Sequence, residues 1–130
     1  MYVEFALPYE RRIFDAVHDM GATARLHICG DITRILPHIP ASGADMVDVD
    51  WMVDLGAAAK TLGSEIATCG NFDPVAVLLD GTPEKVREAT LGCLQLGGPR
   101  NISGAGCKVP DGTPHANLLA QAQALRDWTY

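Results

Sequence analysis

The feature that most constrains the fold of this chain is an alternation. A short apolar run is followed by a stretch with helical spacing, four times over. "ARLHIC", "DMVDVDW", "EIATCG" and "RNISGAG" are the strand-like runs. After the first, "DITRILPHIPASG" reads as a short helix ended near Pro37 or Pro40. After the second comes the short helix "LGAAAKTLG". Asp73-Pro74, Thr82-Pro83 and Thr113-Pro114 each pair an N-cap residue with proline at the first helical position. The helix after Thr82 sets Val86, Ala89, Cys93, Leu94 and Gly97 along one face. The last helix, from about Pro114 to Trp128, is expected to turn Leu118, Leu119, Ala122 and Leu125 inward. Ahead of the first strand, "PYERRIFDAVHDMG" carries Ile13, Phe14, Val17 and Met20 at helical spacing, with Gly21 as a C-terminal stop.

Four strand-helix units with short connections and no hairpin turn imply parallel strands and right-handed crossovers. Two architectures satisfy that. One is about half of a TIM (β/α)8 barrel, since a complete one needs roughly 250 residues. The other is a small open α/β sheet. A half-barrel leaves strand edges and apolar surface uncovered, so it should meet a missing half or self-associate.

The 130 residues amount to one domain or a piece of one, and 48% hydrophobic against 20% charged is ordinary for a globular chain. A net charge of -6, with no basic run, argues against nucleic acid. No apolar stretch is long enough to span a membrane, and "MYVEFALPYERR" lacks the order of a signal peptide. A cytoplasmic protein with its four cysteines reduced is therefore expected. No C-x-x-C motif is present, so the cysteines are weighed singly.

In "RLHICGD", His27 and Cys29 stand two apart at the C-terminal end of the first strand, where residues i and i+2 share a face. Barrel enzymes carry their sites at that end. Cys107, in "SGAGCKVP", follows the fourth strand at the same rim. One imidazole and two thiols suit Zn²⁺, and three protein ligands with a fourth position open form a catalytic zinc arrangement. A lone His-x-Cys can equally be two half-buried residues, because cysteine packs as a small hydrophobe. Cys69, in "TCGNFDP", is a spare thiol or a packing residue, and Cys93 reads as core. Asn71 and Asp73 can line a substrate pocket, though Asp73 also suits an N-cap, as does Asp54. His18, His38 and His115 read as surface or capping residues.

"LHICGD", "DMVDVDWMVDLGAAAKTLG", "CGNFDPVAVL", "GTPEKVREAT" and "SGAGCKVPDGTPHANLLA" resemble the C-terminal half of the uroporphyrinogen decarboxylase superfamily, from about Leu26 onward. His-x-Cys with a later Gly-Cys is similar to its zinc-dependent branch, the methylcobamide:coenzyme M methyltransferases of methanogenesis and their bacterial relatives. The decarboxylases need no metal. The resemblance implies that residues 1–130 are the C-terminal half of a TIM barrel. It implies methyl transfer from a methylcobamide, held by a partner corrinoid protein, to a small thiol such as coenzyme M. By position His27, Cys29 and Cys107 match the zinc ligands. A thiol bound to such a centre loses its proton and becomes a nucleophile. Asp50, with Asp48 on the same face, is the carboxylate expected to occupy zinc and yield to the thiol, the alternative being that it caps the next helix or hydrogen-bonds a loop. Cys69, Asn71 and Asp73 are the substrate-side candidates. The alternatives are a decarboxylase-like metal-free enzyme and a non-catalytic, oligomerising half-barrel.

Overall fold

The computed structural model describes residues 1–129. A single helical turn, α1 (Tyr2–Phe5), leads into α2 (Leu7–Asp19). The strands are β1 (Arg25–His27), β2 (Met46–Asp48), β3 (Ala67–Phe72) and β4 (Asn101–Ala105). Between and after them run α3 (Leu55–Leu62), α4 (Pro83–Gly97) and α5 (His115–Asp127). Among these residues no helix is long and apolar enough to cross a membrane.

All strand pairs are parallel, and the order is β1-β2-β3-β4. Sequence neighbours are spatial neighbours throughout, with no reversal of direction. A doubly wound sheet reverses its strand order and carries helices on both faces. Here one face is covered. Leu26, Val47, Thr68 and Asn101 lie in register across the sheet and are buried against the helical layer. The alternating row, His27, Asp48, Cys69 and Ile102, projects to the other face, where Ile102 is 48% exposed. A singly wound parallel sheet with helices on one side is a segment of a (β/α)8 barrel, and its open face is the barrel interior.

The core lies between sheet and helices, around Ile39, Val47, Val49, Leu78 and Val86, all essentially fully buried. Caps set the helix starts. The Asp54 carboxylate accepts from the Ala57 N–H at 2.7 Å, and the Thr82 hydroxyl from the Lys85 N–H at 3.3 Å.

Several local expectations are corrected. The segment after β1 forms a 3-10 helix over Leu36–Ser42 that contains Pro37 and Pro40 instead of stopping at either. Its i→i+3 bonds tolerate a missing N–H better than a long α-helix would. Strand β3 runs to Phe72, so Cys69 sits mid-strand, not at its end. Thr113 does not cap α5; its hydroxyl donates to the Pro110 carbonyl at 2.8 Å. The inward face of α5 is Asn117 and Ala124, while Leu118, Leu119 and Leu125 are exposed. Asn117 is drawn inward because its amide satisfies the Leu78 and Gly81 carbonyls at 2.8 and 2.9 Å. On α2 only Phe14 is buried, and Ile13 and Met20 face solvent. Their spacing is helical, but no neighbouring helix covers that side.

Candidate metal centre

Two strand-to-loop junctions, those of β1 and β4, meet at the C-terminal rim of the sheet. His27 is the last residue of β1, Cys29 lies two residues beyond it, and Cys107 lies two beyond β4. Their ligand atoms converge. His27 Nε2 is 3.1 Å from Cys29 Sγ and 3.9 Å from Cys107 Sγ, and the two sulfurs are 3.7 Å apart. At that separation they are free thiols, far outside bonding distance. Bond lengths typical of tetrahedral zinc place two thiolate sulfurs about 3.8 Å apart, and nitrogen about 3.6 Å from sulfur. The observed triangle is thus close to the base of a zinc tetrahedron, and its N, S, S donors are the type zinc prefers. Its fourth vertex is not supplied by this cluster.

The loops that make the triangle are held by specific bonds. Buried Asp50 accepts from the Gly30 N–H at 2.8 Å, which fixes the chain just after Cys29, and from the Met52 N–H at 3.3 Å. The Asn71 amide donates to the carbonyls of Asp50 and Val53, at 3.2 and 2.6 Å, and ties that loop to β3. Gly106 lets Cys107 come close. A Cβ there would collide with the backbone of Asp50 and Trp51. Beside the triangle an open cleft of about 320 Å³ is lined by Arg25, His27, Asp48, Cys107 and Lys108, among others.

Electrostatics separate the thiols. The Cys107 sulfur pushes the Cys29 thiol pKa up, chiefly by hydrogen bonding and then by charge, with a smaller contribution from Asp50. Metal binding at this pair would displace the thiol protons, because thiolate is the ligating form. Burial, with Asp48 beside it, pushes Cys69 up to about 11, which makes it a neutral thiol at ordinary pH. Cys93 is buried and raised by desolvation, as a core residue should be.

The expected site residues therefore divide. His27, Cys29 and Cys107 come together. Asp50 lies next to them, but its carboxylate is occupied by two backbone N–H groups and stands outside the three-residue cluster. Cys69 projects from the same open face, one strand over from Asp48, with the Arg25 guanidinium 3.7 Å from its sulfur. Asn71 serves the loop through its amide. Asp73 caps the widened helical turn Pro74–Leu79, accepting from the Val75 and Ala76 N–H groups at 2.8 and 3.0 Å. Among the other histidines, His18 pairs with Asp45 at 2.8 Å on the surface. Arg25 and the contact of Asp48 with His27 were not anticipated. The Asp48 carboxylate meets His27 Nδ1 at 3.1 Å through one oxygen and Arg25 at 2.8 Å through the other. Cross-strand register would have revealed the pair, since His27 and Asp48 are direct neighbours.

The family profile described as uroporphyrinogen decarboxylase (URO-D) matches residues 1–128. The chain belongs to that family. The match includes α1 and α2, ahead of the motifs that begin near Leu26. Among similar proteins, a methylcobamide:CoM methyltransferase of Methanosarcina acetivorans is 36% identical over 129 residues. That match covers 99% of this chain and 37% of the relative. A methylated-thiol–coenzyme M methyltransferase of Methanosarcina mazei is 34% identical, covering 97% of this chain and 33% of the relative. A uroporphyrinogen decarboxylase of Gloeobacter violaceus is 34% identical over 118 residues, with 89% and 33% covered. A solved structure, a methyltransferase from Methanosarcina mazei, superposes with a TM-score of 0.86 at 22% identity. It covers 97% of this chain and 36% of that one, and it bears out the fold. The chain thus spans roughly a third of the length of these relatives.

Proposed function

We propose that this chain carries the zinc centre of a corrinoid-dependent methyltransferase, in which a methyl group passes from a methylcobamide to a small thiol such as coenzyme M. The observation that supports this reading is the convergence of His27 Nε2, Cys29 Sγ and Cys107 Sγ within 4.8 Å of one another. A metal-free decarboxylase would leave three soft donors at a barrel's active rim without a role. Zinc, when bound, supplies the Lewis acidity that lets a substrate thiol react as its thiolate near neutral pH.

The chain's own residues do the rest. Two cysteine thiolates and one neutral histidine would balance the charge of the dication and hold it at the rim. The cleft beside them has room for a small molecule next to His27 and Cys107. Asp50, beside the cluster through its bond from the Gly30 N–H, would supply the fourth ligand when no thiol is present, in exchange for one of its N–H partners. Asn71 holds the Asp50–Val53 loop in place for that exchange. Residues 1–130 are read as the C-terminal half of the barrel. The remaining strands would cover the open face, exclude water and complete the surface on which a corrinoid protein docks.

Elemental analysis of purified chain, dialysed against a weak chelator, should find about one zinc per chain. Cys29→Ala with Cys107→Ala should abolish it. Zinc retained at full stoichiometry by the double variant would overturn the reading. The uncovered sheet face and the exposed Tyr9, Ile13 and Met20 on α2 favour a second reading, an oligomerising half-barrel. It requires a discrete homo-oligomer by light scattering with no zinc bound.

A further inference from the structure

We infer that Asp48 is the positioning residue of this centre: held on one side by Arg25, its carboxylate keeps the His27 proton on Nδ1 and so leaves Nε2 bare beside Cys29 and Cys107. The inference rests on the zinc reading above, but it concerns the metal-free chain.

Two observations carry it. First, both carboxylate oxygens are committed. Arg25 donates to Oδ1 from Nε at 2.8 Å, and its terminal nitrogen also lies 2.8 Å from Oδ1. Oδ2 faces His27 Nδ1 at 3.1 Å. Second, for a neutral imidazole the hydrogen-bond roles leave one solution. A carboxylate only accepts, so Nδ1 must carry the hydrogen. A neutral imidazole has a single N–H, so Nε2 presents its lone pair. Nε2 is the nitrogen that stands 3.1 Å from Cys29 Sγ. Side chains that orient a ligating imidazole from its far nitrogen are a recurrent part of metal sites.

Arg25 gives the arrangement a direction. It can only donate, so whatever stands at position 48 must turn an acceptor toward it. In Asp48→Asn the amide oxygen is therefore drawn to Arg25, and the amide NH2 is turned toward His27. Nδ1 then has to accept, and the proton moves to Nε2. The substitution is isosteric, so the sheet should fold as before. Wrong-tautomer loss of this kind is known where a carboxylate orients a catalytic histidine.

The test is a long-range 1H–15N correlation spectrum of the metal-free chain, at a pH where the imidazole is neutral. His27 is expected as the Nδ1–H tautomer in the natural chain and as Nε2–H in Asp48→Asn. Arg25→Ala combined with Asp48→Asn frees the amide to turn and should restore part of the Nδ1–H form. In a separate chelator competition, Asp48→Asn should weaken zinc about 10- to 100-fold. An Nε2–H tautomer in the natural chain overturns the inference, as does an unchanged tautomer in Asp48→Asn. Failure of the natural chain to bind zinc would instead count against the zinc reading, because the tautomer is read without metal.

Discussion

The two faces of this sheet are built from alternate residues of the same strands, and they do different things. On the covered face Leu26, Val47, Thr68 and Asn101 are buried against helices. On the open face the neighbouring row is His27, Asp48, Cys69 and Ile102, with Arg25 beside it. The covered side is apolar apart from Thr68 and Asn101, whose side chains hydrogen-bond to each other at 3.0 Å, and it holds the units together. The open side carries the ionisable groups and the sulfurs. A complete barrel would enclose it, and here it lies bare. One strand thus serves stability and chemistry at once, separated only by the two-residue period of the pleat.

That contrast can be broken from the covered side first, with the largest effect. Val47→Asp places a carboxylate at a position 1% exposed and without a partner. It should cost several kcal/mol and abolish cooperative unfolding in a thermal melt followed by circular dichroism. A folded Val47→Asp variant would mean that the helical layer is not the core.

Next comes the rim. Gly106→Val drives a side chain into the backbone of Asp50 and Trp51, so the loop bearing Cys107 must retreat. Zinc affinity, read by chelator competition, should fall by at least about tenfold while the circular dichroism spectrum is kept. Asp73→Ala removes a helix cap and should lower stability by about 1 kcal/mol, with zinc affinity unchanged. The smallest effect is expected at Cys69. Its thiol is neutral and lies outside the ligand cluster, so Cys69→Ala should shift zinc affinity less than about twofold, and a larger shift would make it part of the centre.

Much of this division was legible in the sequence. The alternation of apolar runs and helical spacing gave parallel βα units, because crossovers of that length admit little else. His27, Cys29 and Cys107 were legible because each follows an apolar run at the same end. Two kinds of information were not. The inward face of α5 depends on which carbonyls need a donor, and Asn117 meets that need where leucines were expected. The Arg25–Asp48–His27 chain depends on register between strands, which local spacing does not encode. In the sequence Asp48 stands only as the companion of Asp50, although Asp50 is the one that holds the loop and Asp48 the one that touches the histidine. The uncovered apolar residues of α2 follow the same logic. Ile13 and Met20 obey helical periodicity, but a pattern in one chain does not show whether anything packs against it.

The central claim is that the open face of this partial barrel ends in a mixed nitrogen and sulfur metal site. X-ray absorption at the zinc edge of the loaded chain tests it directly. The account predicts a first shell of two sulfurs at about 2.3 Å and one imidazole nitrogen at about 2.0–2.1 Å, completed by one light atom. A shell of nitrogen and oxygen alone would contradict it, because Cys29 and Cys107 would then have no part in holding the metal.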